Sequence, residues 1–326
     1  MKAFAAVMRM VIAGVLMAIA GAVAAQQDYP VRPIRIIVPY PPGGSVNFLA
    51  RVIDQRLAED FGQQVIVDNR GGGNTVIGAE QAAKSAPDGY TLFLAGSTQV
   101  ALPSLYSKLP YDLFNDFSPV ATIARGEFIL VLHPSVPASN LQQFIALAKA
   151  KPGQLNYGSS STGGPTHLSA VLFEMLTGVK MQHIPYKGGG PAISDLMGGQ
   201  IQLTFGNPAN VIPFIKSGRL KAIAVSGETR LAALPQVPTF VEAGLAGLVL
   251  RNWYGLLVPS GTPKAIIDKL AVEIGKILKL PSTEEALVKQ GLDTFISTPE
   301  QLGALMRTEK TRIAAIIKAG NITIEH

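Results

Sequence analysis

Residues Ile36–Ile53 read IIVPYPPGGSVNFLARVI. A β-branched run stops at prolines and glycines, and an apolar-periodic run begins at once. Strand, tight joint and helix in that order open a βαβ unit. Working outward, NFLARVIDQRLAEDFG places Leu49, Val52, Ile53, Arg56 and Leu57 on one helical face and stops at Gly62. QQVIVDN predicts the next strand, TVIGAEQAAKSA a helix, and YTLFLAG a third strand. This βαβαβ order predicts an α/β fold with a mostly parallel sheet and helices on both faces.

A second series repeats the pattern. FILVLHP, LNYGS, MQHIPY, IQLTFGN and LKAIAVS read as strands, and NLQQFIALAKAKPG, THLSAVLFEMLTG, PAISDLMGGQ and VIPFIKSG as helices. The tail gives the strand YGLLVPSGTP and three helices. Short connections near Ala124–Phe128 and Arg251–Gly255 look like double crossings of one hinge. The expectation is two lobes with a cleft between them: residues 26–126 plus 252–326 in the first, 127–251 in the second.

The 326 residues are 48% hydrophobic and 15% charged, which excludes a disordered chain and suits two ordinary domains. Lys2 and Arg9 precede an uncharged stretch ending VAA, and residues 1–25 read as a signal peptide cleaved before Gln26. The 16 apolar residues between Arg9 and Gln26 fall short of the roughly 20 that span a bilayer. Loss of Lys2 and Arg9 takes the formal charge from +6 to +4. No basic stripe with interleaved aromatics points to nucleic acid. Without cysteine there is neither a disulfide nor a thiolate site. An export signal on such a chain predicts a periplasmic or secreted protein.

Two strand-to-helix joints have unusual content. In YPPGGSVN, Gly43 and Gly44 let ligand atoms approach the main chain, and Ser45 or Asn47 suits a helix cap. In YGSSSTGGPTHLS, a strand again runs into hydroxyls, two glycines and a helix. Free N–H groups at a helix start favour a carboxylate or phosphate. Each joint alone reads more readily as a structural turn than as a binding loop; one in each half favours a two-jawed clamp. NRGGGN lacks the G-x-G-x-x-G spacing, and there is no phosphate-binding P-loop, H-E-x-x-H or G-x-S-x-G motif. His133 and His183 read as structural, His167 as either a ligand contact or a helix-start residue, Lys187 as solvated, and Trp253 as hinge packing. No metal or cofactor is called for.

The ordered set YPVRPIRIIVPYPPGGSVNFLARVI, VIVDNRGGGNTVIGAEQAAKSAPDGYTLFLAGST, LPYDLFNDFSPVATIA, LNYGSSSTGGPTHLSAVLFEMLTG, HIPYKGGGPAISDLMGGQIQLTFGN and RLAALPQVPTFVEAG resembles the Bug-type (TctC-like) substrate-binding proteins of tripartite tricarboxylate transporters. The resemblance implies a type II periplasmic-binding fold and a monomer without enzymatic activity. It would hand a small organic carboxylate to membrane permease subunits. It implies a first-jaw loop at Tyr40–Asn47, with Tyr40, Pro42, Gly43, Gly44 and Asn47 at the ligand. The second-jaw loop would be Ser159–His167, contributing Ser159, Ser160, Ser161, Gly163, Gly164, Thr166 and His167. Ser97, Thr98 and Asn207 match further family loops. Where the family usually reads G-G-x-x-D, this chain has Asn47, which removes a negative charge and adds an N–H donor. An exported hydrolase or transferase using the loops as an oxyanion site, or a sensor subunit, stays open as an alternative. Among ligands, dicarboxylates, citrate-like acids, aromatic acids, amino acids and nicotinamide-like molecules all stay open.

Overall fold

The computed structural model describes residues 29–42, 44–248 and 250–323, so the expected signal peptide and Gly43 lie outside the described residues. The chain opens with β1 (Ile34–Val38), α1 (Ser45–Phe61), β2 (Val65–Asn69), a 3-10 turn at Gly73–Thr75, α2 (Val76–Ala83), β3 (Thr91–Gly96), α3 (Ser97–Leu105) and β4 (Phe117–Gly126). There follow β5 (Ile129–Leu132), α4 (Leu141–Ala150), β6 (Asn156–Ser159), α5 (Pro165–Thr177), β7 (Gln182–Pro185), α6 (Gly189–Met197), β8 (Leu203–Gly206), α7 (Pro208–Lys216) and β9 (Lys221–Val225). The chain then returns through β10 (Asn252–Pro259), α8 (Lys264–Leu278), α9 (Pro281–Lys289), β11 (Asp293–Thr294) and α10 (Pro299–Ala319).

These strands make two sheets, one for each lobe. The first has the order β11-β4-β10-β3-β1-β2, the second β7-β6-β8-β5-β9. Leu49, Ile53 and Leu57 of α1 are fully buried, as their spacing predicts. Gly62 takes the left-handed C-cap. The expected mostly parallel sheet is only half right. β1 pairs in parallel with β2 and β3, and β6 with β7 and β8. β10 runs antiparallel to β3 and β4, and β5 antiparallel to β8 and β9. The antiparallel pairs come from strands that carry the chain between lobes, so no crossover helix sets their direction.

α3 escapes the sequence reading because Ser97–Leu102 is buried throughout and shows no polar face. The two-residue β11 is too short to read.

The crossings are tied together. The Phe128 N–H donates to Ser226 Oγ at 2.8 Å, and Ser226 Oγ donates to the Leu250 carbonyl at 2.7 Å. Beside them Arg251 Nε stands 2.9 Å from Glu127 Oε1, whose side chain is buried. Burial raises the Glu127 pKa, and Arg251 opposes that shift. α10 packs against both lobes. Its Leu302, Met306, Ile313, Ile316 and Ile317 join one apolar core with Phe93 and Val100 of the first lobe and Phe144, Leu168 and Phe173 of the second. Val171 of α5 lies against Gly320, just past the end of α10.

Candidate functional site

The first jaw forms where β1 ends. Gly44 is the extended N-cap of α1, and no side chain caps it. The N–H groups of Ser45, Val46 and Asn47 therefore have no acceptor within the helix. Neither Ser45 nor Asn47 serves as the expected cap. Asn47 Nδ2 instead donates to Asn69 Oδ1 at 2.9 Å, and Asn69 Nδ2 donates to the Tyr40 carbonyl at 2.9 Å. This relay pins the joint to the end of β2. Tyr40 is half-buried; desolvation raises its hydroxyl pKa, against hydrogen bonding by Thr98 and Gln99.

The neighbouring α3 starts from Gly96, again without a side-chain cap. Gln99 is fully buried, and its Oε1 accepts the Gly96 N–H at 2.8 Å. Its Nε2 makes no well-formed hydrogen bond, although the Tyr40 hydroxyl lies beside it. Ser97 and Thr98 are buried at the same helix start. Ser97 Oγ is also a long acceptor, 3.4 Å, for the Trp253 N–H at the hinge.

The second jaw is Ser159–His167. Ser160 N donates to Thr166 Oγ1 at 3.0 Å, folding the loop over the start of α5. Gly164 is its N-cap and Pro165 its first residue; no side chain caps it. Pro165 has no N–H, so the N–H groups of Thr166 and His167 are the free donors there. Gly163 sits at φ +71°, and a Cβ on it would stand 2.1 Å from Leu105 Cδ1 of the first lobe. Only glycine suits both the backbone and this approach. His167 is buried, and its Nδ1 accepts the Gly163 N–H at 2.9 Å. Its ring is turned into its own lobe rather than toward the first jaw.

The two jaws meet through the turn after β2. Gly71 lies against Pro41, and Asn74 Nδ2 reaches the Thr162 carbonyl at 3.5 Å. α6 and α7 also begin at this end of the second sheet, from Gly188 and Asn207, neither providing a side-chain cap. A recess of about 20 Å³ there is lined by Ser160, Thr166, Gly189, Gly206 and Asn207. A larger open cavity of about 520 Å³ shares none of these residues and lies by Tyr157, His167, Glu174, His183 and the turn Gly320–Thr323.

Among the described residues six helix starts, those of α1, α2, α3, α5, α6 and α7, thus come without side-chain caps at the strand ends of the two sheets. α4 and α10, which start elsewhere, are capped by Asn140 and Thr298. α8 and α9, also elsewhere, lack caps as well. Four of the strand-end joints, YPPGGSVN, STQ, SSSTGGPTH and NPAN, hold hydroxyls and amides but no Asp, Glu, Lys or Arg, whereas the joints before α2 and α6 carry Arg70 and Lys187. The attraction for an anion there comes from helix ends and N–H groups. A Ser–His contact exists, Ser159 Oγ to His183 Nε2 at 2.7 Å, yet Ser159 is fully buried and its Oγ donates to the Ser161 carbonyl at 3.0 Å. A fully buried hydroxyl held by two partners within its own lobe is not placed to attack a ligand in the cleft. Among the described residues no group of three His, Asp or Glu is placed to hold a metal ion.

Three participants were missed by the sequence reading: Asn69, Asn74 and Gln99. The asparagines end or follow a strand beside glycines, a signal passed over for want of a fingerprint spacing. Gln99 stands at the third position of a helix that showed no periodicity.

The family model described as the tripartite tricarboxylate transporter family receptor, TctC, matches residues 49–322. The chain belongs to the TctC family. Protein BugT of Bordetella pertussis is 38% identical over 310 residues, covering 94% of this chain and 95% of that one. Among solved structures, one described as a periplasmic transporter is 40% identical with TM-score 0.84, over 91% of this chain and 100% of its own. The R. palustris protein Rpa4515 with adipate is 32% identical with TM-score 0.85, over the same shares, 91% and 100%. MatC from Rhodopseudomonas palustris, with bound malate, is 29% identical with TM-score 0.81, over 89% and 100%. The TctC fold of two α/β lobes is therefore the fold of this chain. Members of this family are solute-binding receptors.

Proposed function

We propose that this TctC-family receptor works in the periplasm as a non-catalytic monomer. In this reading it closes on a small organic carboxylate and presents it to the permease subunits of a tripartite tricarboxylate-type transporter. The observation that carries the reading is the convergence of uncapped helix starts, four of them on joints with hydroxyls or amides and no charged side chain. N–H groups that no residue of the chain satisfies are ready donors for an external carboxylate, and exclusion of water on closure strengthens those bonds. The first jaw would use the amides after Gly44, with Tyr40, Pro42, Gly43, Asn47, Ser97 and Thr98 around them. The second would use Ser159–Ser161, Gly163, Gly164 and Thr166, with Asn207 at the rim. Two sheets that exchange the chain between Gly126 and Ile129 and again before Asn252 support lobes of 26–126 plus 252–326 and 127–251. The bound adipate and malate of the two relatives support the ligand class.

Mature protein, residues 26–326, is titrated with malate, adipate and a panel of tri- and aromatic carboxylates, by calorimetry and thermal melting. A ligand at a hundredfold its Kd adds about 2.7 kcal/mol to the folded state, a rise of several degrees in Tm. Recovery of that ligand unchanged supports a receptor. A panel without any shift, or turnover of the ligand, overturns the reading.

A further inference from the structure

Behind the second jaw two imidazoles lie face to face. The ring centroids of His167 and His183 are 3.8 Å apart with planes 8° from parallel, and Tyr157 stacks on His183 at 5.0 Å. A backbone donor fixes the tautomer of His167. The Gly163 N–H donates to His167 Nδ1, so the ring proton of His167 is on Nε2. Ser159 Oγ lies 2.7 Å from His183 Nε2 and 3.0 Å from the Ser161 carbonyl, so His183 holds the hydroxyl at the start of the loop. One histidine thus holds the start of the Ser159–Gly163 segment and the other its end. We propose that His167 and His183 are positioning residues for the second jaw. As a neutral stacked pair they fix the loop between them and so aim its remaining amides. This rests on the reading of that loop as the ligand's grip.

The surroundings favour neutrality. Tyr157 faces the pair from β6 and Glu174 from α5, with Lys180 beyond Glu174; the turn Gly320–Thr323 brings no titratable side chain. Glu174 Oε1 accepts the Met181 N–H, and burial raises its pKa. Burial, and then each ring's neighbour, lowers His167 to about 3; burial lowers His183 to about 4. A protonated His167 loses the lone pair that accepts from Gly163.

The test compares wild type with His167→Phe, which keeps a stacking ring without the acceptor, and with His167→Asn, whose Oδ1 replaces Nδ1. His183→Leu and His183→Gln form the matching pair. The Gly163 amide is expected to lose at least about tenfold in hydrogen-exchange protection in His167→Phe and to regain it in His167→Asn. Malate or adipate, whichever binds wild type, is expected to bind His167→Phe and His183→Leu about tenfold more weakly, and the Asn and Gln variants nearly normally. Nitrogen shifts should show both rings neutral at pH 6, with His167 as its Nε2–H tautomer. A ring titrating near 6.5, or unchanged Gly163 exchange in His167→Phe, overturns the proposal. If wild type binds no carboxylate, the reading of the cleft falls, while exchange and tautomer still decide this one.

Discussion

At the scale of single residues, Asn47 shows how a substitution acts through a neighbour. Its extra N–H is spent on Asn69, which in turn holds the Tyr40 carbonyl. In Asn47→Asp the new carboxylate can only accept, so the Asn69 amide must turn its NH₂ toward it and its oxygen toward Tyr40. The first jaw then loses its tether. The expected result is a roughly tenfold weaker carboxylate Kd by calorimetry, with a stability loss of only about 1 kcal/mol by denaturant titration. Asn69→Ala should do the same. The identity of Asn47 was legible in the sequence, and so was its departure from the family habit. Its direction was not, because its partner lies 22 positions away and no local pattern marks a strand-end asparagine as one that reaches back.

Among the elements, the jaws were legible because glycine, proline and hydroxyl residues punctuate a strand and helix, and each of those marks has a backbone meaning. α3 was not, since a helix buried on nearly every side has no period to read. Close approach of two elements was also invisible. Gly163→Ala should be costly twice over: at φ +71° an alanine is strained by about 1 kcal/mol, and its Cβ would meet Leu105 Cδ1. Loss of more than tenfold in ligand affinity is expected. Adding Leu105→Ala should restore part of it, by removing the clash and leaving the backbone strain. A double variant no better than the single one would mean the contact between lobes is irrelevant to closure.

For the whole molecule, the pH dependence follows from the histidine pair. The unfolded chain takes up protons on these rings below about 6.5, whereas the folded chain keeps them neutral to about 4 and about 3. The folded state binds fewer protons in that window, so stability falls as pH drops from 6.5 toward 3. Buried Glu127, Glu174 and Glu309, with raised pKa values, act in the opposite sense. Denaturant titrations at pH 7, 5.5 and 4.5 should therefore compare wild type with His167→Asn/His183→Gln, where the glutamates cancel and the variant's profile is flatter in acid. The two sheets were legible from the alternation of runs, but their antiparallel partners were not, for direction depends on how the chain returns. α10 has a consequence of its own. Each half has one apolar cluster of its own, but its other cluster is shared across α10, so either half alone leaves that shared face uncovered. A scanning calorimeter should record a single peak with equal calorimetric and van't Hoff enthalpies, and residues 127–251 expressed alone should collapse into a loose, dye-binding state. A molecule whose halves swing apart to release cargo is thus one that melts as a single cooperative unit.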